Sequence, residues 1–232
     1  MEINKFKTIG YLLILGAVAV FIPYTILTII FEYPDILRQD TAVILTKFHE
    51  GGSKLIWVWF AFAITGLPLL PAYIRLGQML ENQNSIVRLA TSIGVIGLVV
   101  QMIGLLRWTF VVPVLADTFV HSTDEAIKAG AIVSFKTIHQ YGGVVLGEHL
   151  GQLFTVAWTI MMSYVFGKID LFPKWVIWLG YISSLIYLMA QAELFATVMP
   201  GFPVWDMAGF IGSTLWLVWL ILIGIFFIRK SI

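Results

Sequence analysis

Apolar residues run along this chain in stretches long enough to cross a bilayer, and polar positions separate them. The first stretch, residues 8–31, follows Lys5 and Lys7, and Ala17-Val18-Ala19 resembles a cleavage site. Its apolar run outlasts the roughly 7 to 15 residues of a signal peptide's hydrophobic region, so it is read as an uncleaved span. The second stretch, 54–76, follows a polar loop, and Pro68 and Pro71 remove backbone donors near its end, which predicts a kink. The third, 86–114, places Gly94, Gly97, Gln101, Gly104 and Trp108 on one helical face, a small-residue stripe suited to close packing. The fourth is 142–166, the fifth 175–198 and the sixth 207–228.

The fourth stretch carries the most polar groups. At 3.6 residues per turn, Gly143, Gly147 and Gly151 form a smooth ridge, while Tyr141, Glu148, Gln152, Thr155, Thr159 and Ser163 form a second, polar stripe. His149 lies just beyond that stripe. A helix of this kind belongs among other helices, because lipid would leave the polar stripe unpaired. The long connection before it, 116–141, is patterned as well. Ser122 to Glu125 resembles a capping box, and Ile127, Ala131, Phe135 and Ile138 recur at helical spacing. This predicts a short amphipathic helix on the outer surface between spans three and four, with Gly142-Gly143 permitting a sharp turn into span four. The expected fold is thus all-α: one transmembrane domain over residues 1–232, a polytopic helical bundle of six transmembrane helices.

Composition agrees with the pattern. Hydrophobic residues make up 59% of the chain and charged residues 12%, with a mean hydropathy of +0.93, values foreign to a soluble domain of this length. Membrane lipids are therefore expected partners. A net charge of +1 with no long Lys/Arg run argues against a nucleic-acid partner, since such binding rests on phosphate neutralisation. The absence of cysteine excludes disulfides, thiolate metal sites and covalent haem attachment. Lys5, Lys7, Arg75, Arg88, Lys168, Lys174, Arg229 and Lys230 fall on one side of the six spans, against Arg38, Lys47, Lys54, Lys128 and Lys136 on the other. That bias places both termini in the cytoplasm.

Counting at 1.5 Å per residue brings ionisable groups of three spans to one depth: Glu148 and His149 roughly 9 to 10 Å below the outer end, Arg107 roughly 10 Å and Glu193 roughly 7 Å. Such groups at membrane depth are functional candidates. Arg107, Glu148, His149, Gln152 and Glu193 are the candidate ligand-binding set, lining an outer pocket for a small ligand or proton in a transporter or sensor. An Arg107–carboxylate pair could equally be structural, and Ser or Thr on span four could simply join helices or bond their own helix's carbonyls. The glycine ridge reads as packing, within the chain or in a homo-oligomer, and Trp57, Trp59, Trp205, Trp216 and Trp219 as interface anchors or core. An alternative metal set, for an intramembrane enzyme, combines Glu148, His149 and Glu193 with His49 or His139; a haem held by two histidines is its variant. Glu148 and His149 are adjacent and diverge by about 100° on a helix, unlike the paired histidines of an H-E-x-x-H site. A scaffold without chemistry is the remaining class. No catalytic residue or cofactor is assigned, and no nucleophile-elbow motif is present.

Arg107-Trp108 with Val112-Pro113, Gly147-Glu148 with Gly151, and the spacing of the six spans together resemble the bacterial six-helix membrane family called domain of unknown function 4386. The resemblance implies a six-span fold in a bacterial cytoplasmic membrane. It implies no substrate, reaction or cofactor.

Overall fold

Each apolar stretch read from the sequence folds as helix. The computed structural model describes residues 2–229, with side chains from Phe6 onward. The order is α1 (Glu2–Ala19), α2 (Phe21–Phe31), a 3₁₀ turn (Asp35–Arg38), α3 (Thr41–Ile64), α4 (Leu69–Leu80), α5 (Ile86–Phe110), α6 (Val112–His121) and α7 (Glu125–Ile138). A π-helical stretch (His139–Leu150) leads directly into α8 (Gly151–Lys168), followed by α9 (Lys174–Met189), α10 (Gln191–Ala196) and α11 (Ala208–Arg229). Among the described residues, six helical runs, some of them interrupted, are long and apolar enough to cross a membrane: Phe6–Phe31, Thr41–Leu80, Ile86–His121, Glu125–Lys168, Lys174–Ala196 and Ala208–Arg229. They enclose the expected spans to within two residues. Of the cations used for orientation, Lys230 and the side chain of Lys5 lie outside the described residues.

Three expectations change in detail. The polar loop before span two is itself helical from Thr41, and Gly52 interrupts α3 at φ 56°, ψ −153°, a conformation open to glycine. The proline-rich end of that span breaks as expected, between α3 and α4 with Pro68 at the cap. The connection 116–141 is almost wholly helical. A helix does form at Glu125–Ile138, where the Asp124 carboxylate accepts a hydrogen bond from the Ala126 N–H at 2.7 Å. It runs on without a turn at Gly142-Gly143, and the glycines with positive φ are Gly52 and Gly201. A separate surface-lying amphipathic helix is therefore not confirmed. Ala131 and Phe135 of α7 are buried while Ile127 and Val133 are exposed, so apolar residues serve both faces.

The chain divides into two compact units that interleave in sequence. The first takes the chain up to Val18, Gly66–Val100 and the chain from His149 on; the second takes Ala19–Thr65 and Gln101–Glu148. In the first, Tyr73 stacks on Trp158 at 3.7 Å between ring centres, and Trp158 meets Trp219 edge-on. The Trp219 indole donates to the Val176 carbonyl at 3.0 Å, tying α11 to α9. Phe6 packs on Phe227, and a Cβ on Gly10 would stand 2.5 Å from the Gly224 carbonyl oxygen. The second unit has its own core around Trp108, which stacks on Trp59 at 4.6 Å and Phe48 at 5.7 Å and receives the edge of Phe31 at 5.6 Å. Trp59 and Trp219 are thus core residues, whereas Trp57 and Trp205 are exposed.

Lipid is as apolar as a leucine side chain, so packing in these cores yields little transfer gain and rests on dispersion, about 0.1 to 0.2 kcal/mol per atom pair. Such contacts must be close to matter, which explains the small residues at helix crossings. A Cβ on Gly104 would lie 2.5 Å from the Cα of Gly147 and 2.7 Å from the Gly142 carbonyl, both rigid backbone atoms. Gly104→Ala is expected to destabilise the protein by about 1 to 3 kcal/mol. Gly130→Ala, where a Cβ meets nothing within 4 Å, should instead be neutral or stabilise by up to about 1 kcal/mol. Thermal or denaturant unfolding in detergent checks the opposite signs.

Candidate functional site

Arg107 stands near the end of α5, one residue before the tryptophan at the centre of the second unit's core. Only 7% of it is exposed. One guanidinium nitrogen donates to the Gly104 carbonyl of its own helix, and another donates to His139 Nδ1 at 3.5 Å. Its carbon lies 5.3 Å from the Trp108 ring centre, where the aromatic face adds cation–π attraction. Gly143 makes the space: a Cβ there would fall 2.5 Å from a guanidinium nitrogen. The Glu148 carboxylate acts electrostatically on the same guanidinium. Arg107 Nε is buried with no hydrogen-bond partner among the described residues. His139 is held in turn by Phe135, whose ring stacks on it at 5.4 Å.

The π-helical stretch supplies three of these partners, His139, Gly143 and Glu148. Each of its turns holds more residues than an α-turn, so positions along it do not keep the 3.6-residue spacing. Gly143 faces Arg107, while Gly147 abuts Gly104. Both neighbours lie on α5, three residues apart, so Gly143 and Gly147 pack against one helix. In α8, where the α-period holds, the lower stripe stays together and Thr155, Thr159 and Ser163 are all buried. The Thr159 hydroxyl donates to the Thr155 carbonyl at 2.8 Å, the local bonding that serves packing without any ligand.

A separate polar chain lies in the first unit. His149 Nδ1 donates to Gln191 Oε1, and Gln191 Nε2 donates to Gln152 Oε1, each at 2.5 Å. Phe195 meets the His149 ring edge-on at 6.1 Å. Gln191 is the most enclosed member, 7% exposed, and the sequence-derived set omits it. Its signal was present as a glutamine inside an apolar span. Glu193 is half-buried at the start of α10, where its backbone N–H donates to the Ala190 carbonyl.

The five candidate residues therefore fall into two sets: Arg107 and Glu148 in the second unit, His149, Gln152 and Glu193 in the first. Of the alternative metal ligands, His139 partners Arg107 and His149 partners Gln191, while His49 packs against His121 at 4.9 Å. Two grooves mark the second unit's surface. One of about 360 Å³ runs between Ile22, Pro23, Trp57 and Ala61, and another of about 480 Å³ lies near Thr46, Glu50 and Phe119; Arg107 and Glu148 line neither.

Six apolar helical runs holding buried polar groups define a multi-pass α-helical membrane protein. The family model described as Domain of unknown function (DUF4386) matches residues 8–224, and the chain belongs to that family. No curated protein and no solved structure matches it.

If the His149–Gln191–Gln152 chain is energetically joined, the cycle of His149→Ala, Gln191→Ala and the double variant should show a coupling of about 0.6 to 1.7 kcal/mol. Unfolding in detergent micelles measures it, and additive single effects would mean the hydrogen bonds contribute nothing beyond packing.

Proposed function

We propose that the protein binds a small ligand or a proton at polar groups buried within its spans, for transport or sensing at a bacterial cytoplasmic membrane. Both termini are placed in the cytoplasm on the lysine and arginine distribution. Arg107 and Glu148 are the binding groups of the second unit; His149, Gln152 and Glu193 are those of the first.

Arg107 carries this reading. A guanidinium offers five N–H donors in a rigid fork and stays charged. Here it is enclosed, with a backbone carbonyl and an imidazole as its hydrogen-bond partners and Nε unused. Glu148 offsets the charge electrostatically, and a purely structural pair would need nothing more. The unspent donor is what favours a ligand with a carboxylate or similar anionic group, which accepts such bonds strongly. The first unit's chain suits a proton: with His149 Nδ1 engaged by Gln191, the imidazole's second nitrogen, Nε2, is the one through which a proton would be exchanged.

A thermal-shift panel of acetate, succinate, phosphate and neutral controls on the purified protein tests the ligand. An anion at a hundredfold its Kd should raise the wild-type midpoint by about 5 to 10 °C. The shift should vanish in Arg107→Gln and survive in Gln152→Ala. Proteoliposomes with a trapped pH dye test the proton arm, with His149→Ala expected to lower the flux. The reading is lost if no anion stabilises the wild type and its proteoliposomes carry no proton flux above lipid alone.

A further inference from the structure

Asp117 and His121 stand one turn apart on α6 and so share a face. His121 Nδ1 lies 3.1 Å from Asp117 Oδ1 and 3.2 Å from the Asp117 carbonyl oxygen. Helix α3 packs against α6 and brings a third group to the pair. The ring of His49 approaches that of His121 to 4.9 Å between centres, at 79°. One donor atom from each of the three residues lies within 4.8 Å of the others.

We propose that His49, Asp117 and His121 form a binding site for a divalent transition-metal ion of the zinc class. Ligand atoms around tetrahedral zinc sit about 2.0 to 2.2 Å from the ion and hence about 3.3 Å from one another. The present donor separations, within 4.8 Å, need to close by up to about 1.5 Å. Asp117 and His121 are exposed and His49 half-exposed, so rotation about side-chain bonds supplies it. Two imidazoles with one carboxylate select zinc, cobalt or iron(II) over calcium or magnesium, which prefer oxygen throughout. Three protein ligands also leave a position for water or substrate.

An aspartate and histidine at this spacing on an exposed helix often make an ordinary ion pair, which accounts for two of the three residues. It does not account for a second imidazole delivered by another helix. Occupied, the site joins α3 to α6 on the N-terminal side of Gly52, where the α3 backbone leaves helical geometry. The ion would thereby fasten a helix pair of the second unit. This inference uses none of the residues assigned to ligand or proton binding, so either can fail alone.

The test uses the full chain in detergent, without a polyhistidine tag, stripped with a chelator and titrated with Co²⁺ and then Zn²⁺. Wild type should take up one equivalent of Co²⁺ with visible absorption bands that Zn²⁺ displaces, and Zn²⁺ should raise the unfolding midpoint. His49→Ala, Asp117→Asn and His121→Ala should each weaken binding by about tenfold or more. In His49→Cys, Co²⁺ should add a near-ultraviolet thiolate charge-transfer band, which reports direct ligation even if an alanine variant folds poorly. The proposal is overturned by failure of the wild type to bind below about 100 µM. Unchanged binding in the His49→Ala/His121→Ala double variant overturns it as well, as does a missing thiolate band. Equal stabilisation by Mg²⁺ would overturn the assignment to the zinc class.

Discussion

A guanidinium enclosed among membrane-spanning helices must find its partners within the protein, and much of the second unit is arranged by that demand. Only 7% of Arg107 is exposed, so nearly all of its surface is in contact with protein. Helix α5 gives up the Gly104 carbonyl to it, the stretch after α7 gives His139, Trp108 gives its ring face, and Gly143 gives room. Each concession has its own support. His139 is steadied by the Phe135 ring, and Trp108 is fixed by stacking on Trp59 and Phe48. An unpaired charge in hydrocarbon costs several kcal/mol, more than any single stack returns, so the cation and the aromatic core are parts of one arrangement.

Small residues perform two tasks in this arrangement. At Gly104 and Gly147 they let two backbones touch, and at Gly143 they admit a side chain. The first unit repeats the second use. Gly94 leaves space for Trp158 and Tyr73, and Gly180 does so for Ser163 and Trp219. A stripe of glycines on a helical wheel thus marks where something large or close must fit, without saying which.

The spans were legible because their length and apolarity report directly on the bilayer. Arg107, Glu148 and His149 were legible as candidates because charge inside an apolar run stands out. What sequence spacing could not carry was the π-helical winding of residues 139–150; Gly143 and Gly147 nonetheless both pack against α5, at Arg107 and Gly104. Gln191 was visible as a polar residue, but its bridging place between His149 and Gln152 depends on contacts about 40 residues apart in the chain. His49 was grouped with intramembrane carboxylates, and only the packing of α3 on α6 reveals Asp117 and His121 beside it.

The interleaving of the two units also imposes an order on assembly. All of the second unit's residues lie before His149, so a ribosome has delivered its last segment while the final third of the chain is still to be made. The first unit has no such early completion. Its α1 carries Phe6 and Gly10, whose neighbours Phe227 and Gly224 belong to α11. Helix α1 is thus made well before the helix it packs on, and until α11 arrives its glycine face must be kept by lipid, by a temporary neighbour or by the membrane-insertion machinery.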